Sequence, residues 1–95
     1  MLKPFAELIG TFLFLSVIFY VVTKKITLAP LIIGLTLIGL IFIFGPISGA
    51  HFNPAVSILF YLNKSIPLNE LIIYIIAQII GAILAFFVIT KKYVI

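Results

Sequence analysis

Apolar residues run through the chain in long stretches, and polar positions fall between the stretches rather than alternating within them. A helix that crosses a bilayer needs about 20 predominantly apolar residues to span roughly 30 Å of hydrocarbon. Three stretches meet that length: Phe5 to about Val22, about Leu28 to Phe44, and Leu68 to about Thr90. Pro30 falls near the first turn of the second, where a missing amide costs least. Pro67 precedes the third, and Lys91 and Lys92 close it. The abundance of Ile, Val and Phe would favour strands in water. In lipid only helices and closed barrels satisfy the backbone, so stretches of this length predict helices.

The segment from Gly45 to Lys64 has a different pattern. Gly45-Pro46-Ile47-Ser48-Gly49-Ala50-His51 reads as a helix-breaking but fairly apolar entry. Asn53 is a good N-cap and Pro54 a good first helical residue, so a helix is expected from there until Asn63, Lys64 and Pro67 stop it. About nine residues at 1.5 Å each give about 13 Å, roughly half the hydrocarbon core. An apolar half-length helix entered through a glycine-rich strand reads as a re-entrant loop, a backbone tolerated at depth only where protein buries it or it lines a wet cavity. The spacing alone fits an ordinary apolar loop at the membrane interface equally well. In the re-entrant case Asn53 lies at mid-membrane, with the positive end of the half-helix facing whatever passes.

Composition narrows the classes. The chain has 95 residues, 65% hydrophobic and 8% charged, more apolar surface than a soluble domain of this size can bury. With no cysteine there is neither a disulfide framework nor a thiolate metal site. All six basic residues are lysines (Lys3, Lys24, Lys25, Lys64, Lys91 and Lys92), placed singly or in pairs at the ends of apolar runs, as membrane spans require. They form no basic stripe, so no nucleic-acid partner is expected. The first run makes a poor signal peptide: Glu7 interrupts its start and no small-residue cleavage site follows, so it reads as a retained span. No nucleophile, carboxylate pair or phosphate loop is present, which argues against an enzyme, and no cofactor is expected. His51 has no second His, Cys or acidic cluster beside it and is not read as a metal ligand.

Ser48-Gly49-Ala50-His51-Phe52-Asn53-Pro54-Ala55-Val56 resembles the first pore-loop signature of the major intrinsic protein family, the aquaporins and glycerol facilitators. Asn-Pro-Ala alone would be weak. Two more blocks follow family order: Ala6-Glu7-Leu8-Ile9-Gly10-Thr11-Phe12 resembles the family's first helix and Tyr74-Ile75-Ile76-Ala77-Gln78-Ile79-Ile80-Gly81-Ala82 its third. The resemblance implies an all-α integral membrane protein of the cell membrane, with residues 1–95 as a single aquaporin-like repeat of three transmembrane helices plus one re-entrant loop bearing a half-helix. It implies that Gly49, Ala50, His51, Asn53, Pro54, Ala55 and Val56 line a pore. It also implies that Glu7, which would otherwise snorkel at the surface, accepts hydrogen bonds from that loop. Gln78 is costly facing lipid and is expected to point inward. Ala77, Gly81 and Ala85 form a small-residue ladder that lets another helix approach, suited to supporting the half-helix.

Family members resemble two inverted repeats in one chain; this sequence shows one. The expected complement is a second copy inserted upside down, an antiparallel homodimer that gathers into higher oligomers in the bilayer and passes water or small neutral solutes such as glycerol. Counting the terminal amine, the lysine tally is three on one side against four on the other, a bias too small to specify orientation strongly. The residue after Asn-Pro-Ala is Val56, where the family's second half usually has an arginine. The aromatic position of the second span falls on Ile33, so two copies would present an apolar mouth. A non-conducting partner of full-length channels, or half of a two-gene channel, is the alternative.

Overall fold

The computed structural model describes residues 2–91 as four helices: α1 (Leu2–Thr23), α2 (Ala29–Ser48), α3 (Pro54–Leu62) and α4 (Leu68–Ile89). Three of them, α1, α2 and α4, are long and apolar enough to cross a membrane. The molecule extends 40 Å along its longest axis, matching the full thickness of a bilayer with its headgroups, about 40–45 Å. Lys92 lies outside the described residues.

α2 begins with Pro30 in its first turn. Its end corrects the sequence reading. Gly45 and Pro46 do not break the helix; it continues to Ser48 with Pro46 inside, and Gly49 caps it in the left-handed conformation (φ 88°), its amide donating to the Gly45 carbonyl at 2.8 Å. Stopping at Gly45 would leave the last carbonyls of the span without donors in a medium that supplies none. Losing the single amide of Pro46 is the smaller cost, and the extra turn carries Ser48 into the interior, where it is 6% exposed. α3 follows the expected pattern. Asn53 is its N-cap, with Oδ1 accepting from the Ala55 amide at 2.8 Å, and Pro54 is its first residue.

The helices that pack side by side are α2 with α1, α1 with α4, and α4 with α3. Among the described residues α2 does not pack on α3, and it meets α4 at its last residue, where the Ser48 carbonyl accepts from the Tyr74 hydroxyl at 2.6 Å; α2 and α3 are therefore the two ends of the series. α1 and α4 run parallel: Lys3 Nζ bonds Glu70 at 2.9 Å, Glu7 bonds Gln78, and Phe19 stacks on Phe86 with centroids 6.0 Å apart. Gly81 sets their separation, because a Cβ there would lie 2.8 Å from the Leu8 carbonyl oxygen and 3.0 Å from the Phe12 amide. At Gly81 the small-residue ladder therefore packs against α1.

Candidate functional site

The connection from α2 to α3 is an unusual piece of backbone. Gly49, Ala50 and Phe52 all have positive φ (88°, 53° and 53°). The left-handed conformation costs a non-glycine residue about 1–2 kcal/mol. Something must offset that cost twice, at Ala50 and Phe52.

Glu7 does so. Its carboxylate is fully buried and accepts four hydrogen bonds. Oε2 takes the Ser48 hydroxyl at 2.7 Å and the His51 amide at 3.0 Å; Oε1 takes the Phe52 amide at 2.8 Å and Gln78 Nε2 at 2.9 Å. Hydrogen bonds to a charged group contribute about 1.5–3 kcal/mol each, enough to hold the strained turn and keep a carboxylate within the membrane. Around it, Ser48 Oγ accepts from the Ala50 amide at 3.2 Å and the Tyr74 hydroxyl donates to the Ser48 carbonyl at 2.6 Å. Gln78 Nε2 also donates to Ser57 Oγ at 3.0 Å, and Ser57 Oγ lies 2.8 Å from His51 Nδ1. The His51 ring stacks on Phe60 (5.0 Å) and meets Tyr74 edge-on (4.9 Å). Phe52 is the apolar anchor: its ring covers Gly10, where a Cβ would fall 2.0 Å from a ring carbon, and meets Phe44 edge-on at 6.1 Å.

This inner face determines the outer one. The His51 and Phe52 amides both point at Glu7, and in a trans peptide the carbonyl of the preceding residue points the opposite way. The carbonyls of Ala50 and His51 therefore face away from α1. Asn53 Oδ1 is turned inward onto the Ala55 amide, which leaves its Nδ2 directed outward. Gly49, Asn53, Pro54 and Ala55 are exposed, and Val56 is half-buried. The start of α3 sits near mid-height, since Gln78, at the middle of the 22-residue α4, bonds Ser57 one turn into α3. The segment thus displays carbonyl acceptors, an amide donor and the positive end of a helix dipole at the depth where a membrane is least polar.

Of the residues singled out from the sequence, Glu7, Gly49, Ala50, His51, Asn53, Pro54, Ala55, Val56 and Gln78 belong to this loop and its support. Ile33 is not brought to it: it is half-buried on α2, a helix that does not touch α3. Ser48, Ser57 and Tyr74, together with the pairing of Gly10 and Phe52, were not identified as support. The two serines, five residues before and four residues after Asn53, carried a weak signal, being hydroxyls in otherwise apolar stretches. Among the described residues no group of His, Asp or Glu could hold a metal ion.

The description Major intrinsic protein belongs to a family model that matches residues 2–94. The chain is 47% identical over 88 residues to glycerol uptake facilitator protein-like 6 of Lactiplantibacillus plantarum, covering 90% of this chain and 41% of that protein. It is 42% identical over 91 residues to aquaporin NIP3-1 of Arabidopsis thaliana (87% of this chain, 28% of that one). It is also 40% identical over 92 residues to aquaporin Z of Photorhabdus laumondii (87% and 40%). The chain spans less than half the length of these curated relatives. No solved structure matches.

Proposed function

The chain belongs to the major intrinsic protein family, and from that premise we propose that it lines a channel for passive permeation of water and small neutral solutes such as glycerol, the pore being completed by a second copy inserted upside down. It is a multi-pass integral membrane protein with three spans. The carrying observation is the unfinished outer face of the Gly49–Val56 segment, at mid-depth, between two helices that do not touch.

That face suits small hydroxylic solutes. The Ala50 and His51 carbonyls accept hydrogen bonds, and Asn53 Nδ2 donates two. Water or a polyol hydroxyl can exchange its hydration for these partners in sequence, whereas an ion must also shed a much costlier shell. Cations are further opposed by the partial positive charge at the start of α3, about half an elementary charge. Val56 adds aliphatic surface beside the loop, and the chain has no arginine to add a fixed cationic donor. The mouths are therefore apolar and lack a cationic clamp, which suits glycerol as well as water.

An inverted copy meets two needs. It covers the exposed apolar flanks of α2 and α3 and sets a second Asn53 against the first at mid-depth. The lysines oppose neither orientation strongly: Lys3 and Lys64 lie at one end of the spans, Lys24, Lys25 and Lys91 at the other. The test is osmotic shrinkage of liposomes reconstituted with the purified chain, measured with water alone and with glycerol as the permeant. Flux of both above that of empty liposomes is expected. Folded protein with no excess flux would refute the homomeric channel, and water flux without glycerol flux would refute the open apolar mouth.

A further inference from the structure

We infer that Ser57, oriented by Gln78, is a positioning residue that holds His51 in its Nε2–H tautomer and so presents a fixed donor to the permeation path. The path itself rests on the channel reading above; the tautomer does not.

The inference follows from counting hydrogens along a buried chain of contacts. Glu7 receives four donors, so its carboxylate has only acceptors to offer, and Gln78 must face it with the amide nitrogen. That fixes the amide. The second Nε2 hydrogen goes to Ser57 Oγ at 3.0 Å, and Gln78 Oε1 is left without a partner among the described residues. Leaving a buried carbonyl oxygen unmet is costly, yet the flipped amide would set that oxygen against a carboxylate and is worse.

Ser57 is 0% exposed, and its hydroxyl oxygen meets two groups only among the described residues: Gln78 Nε2, which donates to it, and His51 Nδ1 at 2.8 Å. The hydroxyl hydrogen therefore has one acceptor within reach, Nδ1. If Nδ1 carried a proton, in the neutral or the cationic ring, the Ser57 hydrogen would be buried with nowhere to go. So Nδ1 accepts and Nε2 carries the hydrogen. Phe60 and Tyr74 hold the ring plane from two sides. Nε2 has no partner among the described residues and is not enclosed; it lies beside exposed Gly49, 3.3 Å from where a Cβ on that residue would sit. The buried negative charge of Glu7 thus acts through two neutral side chains to decide which ring nitrogen is the donor. The result is an N–H held beside Gly49, on the same segment whose Ala50 and His51 carbonyls face away from α1.

His51 is the single histidine, so ¹⁵N-histidine labelling reports it without assignment. The full chain in lipid, on the alkaline side of neutrality, should give two well-separated ring signals, Nδ1 unprotonated and Nε2 protonated. In Ser57→Ala the two should move toward each other as the tautomers exchange, and in Ser57→Thr, which restores the hydroxyl, they should stay apart. Gln78→Leu gives a second route should Ser57→Ala fail to fold, and should also draw the signals together. A parent with the proton on Nδ1, or variants lacking the relay whose spectra superimpose on the parent's, would overturn the inference. Water flux read on the same samples separates the two readings. A locked tautomer in a chain that conducts nothing refutes the channel alone, and conduction with exchanging tautomers refutes the relay alone.

Discussion

On the side of the Gly49–Val56 segment that meets α1 and α4, Glu7, Ser48, Ser57, Tyr74 and Gln78 are 0–6% exposed and tied by hydrogen bonds of 2.6–3.2 Å. On the other side Gly49, Asn53, Pro54 and Ala55 are exposed, and the nearest span across from α3 does not reach it. Both faces belong to one backbone and share its peptides, since an amide turned inward is a carbonyl turned outward. The inner face supplies the stability that lets the outer face stay polar in a membrane. Changes to the two should therefore have separable consequences, folding for one and permeation for the other.

The largest effect is expected at Glu7. Glu7→Leu leaves two backbone amides, the Ser48 hydroxyl and Gln78 without an acceptor, at about 1–3 kcal/mol for each buried unsatisfied group. The protein should fail to accumulate folded, and Glu7→Gln should lower the unfolding midpoint in detergent strongly. Stability of Glu7→Gln within about 1 kcal/mol of the parent would mean that the inner face does not depend on its charge.

Gly10→Ala drives a methyl into the Phe52 ring and is expected to cost about 1–3 kcal/mol, as overpacked sites do. Gly34→Ala meets nothing within 4 Å and should be neutral or slightly stabilising, because alanine is the better helix former by about 1 kcal/mol. Equal unfolding midpoints for the two variants would contradict the packing described. On the outer face, Asn53→Asp keeps an N-cap of equal quality and so should fold like the parent. It also puts a charge at mid-depth, and water and glycerol flux should both change; unaltered flux would remove Asn53 from the path. Val56→Arg should reduce glycerol flux more than water flux, a smaller effect read as a ratio within one preparation.

The spans and the half-helix were legible because run length and the Asn53-Pro54 start are local signals. The end of α2 was not. Gly45-Pro46 is a breaker by local chemistry, and what carries the helix onward is a bond from Ser48 to a glutamate 41 residues earlier. Glu7 and Gln78 stood out because carboxylates and amides are conspicuous in apolar helices. Ser57 and Tyr74 did not, since a hydroxyl in a helix is commonplace and only the tertiary arrangement shows what it touches. Ile33 is placed by its distance from the motif along the chain, and it lies on α2, which does not pack on α3.

What completes the outer face can be read from distances between copies along α3. Ile58 and Leu62 are exposed, four residues apart on one helical face, and the chain has no cysteine of its own. Spin labels on Ile58→Cys and, separately, on Leu62→Cys report the separation of the two copies in lipid. If the second copy is inverted, the two α3 helices run away from each other from mid-depth, and the separation should grow by about 12 Å from the first label to the second, twice the rise of four helical residues. Equal separations at the two positions would mean that the copies lie parallel, and the absence of any measurable separation would mean that no copy faces α3; either result contradicts the inverted pair.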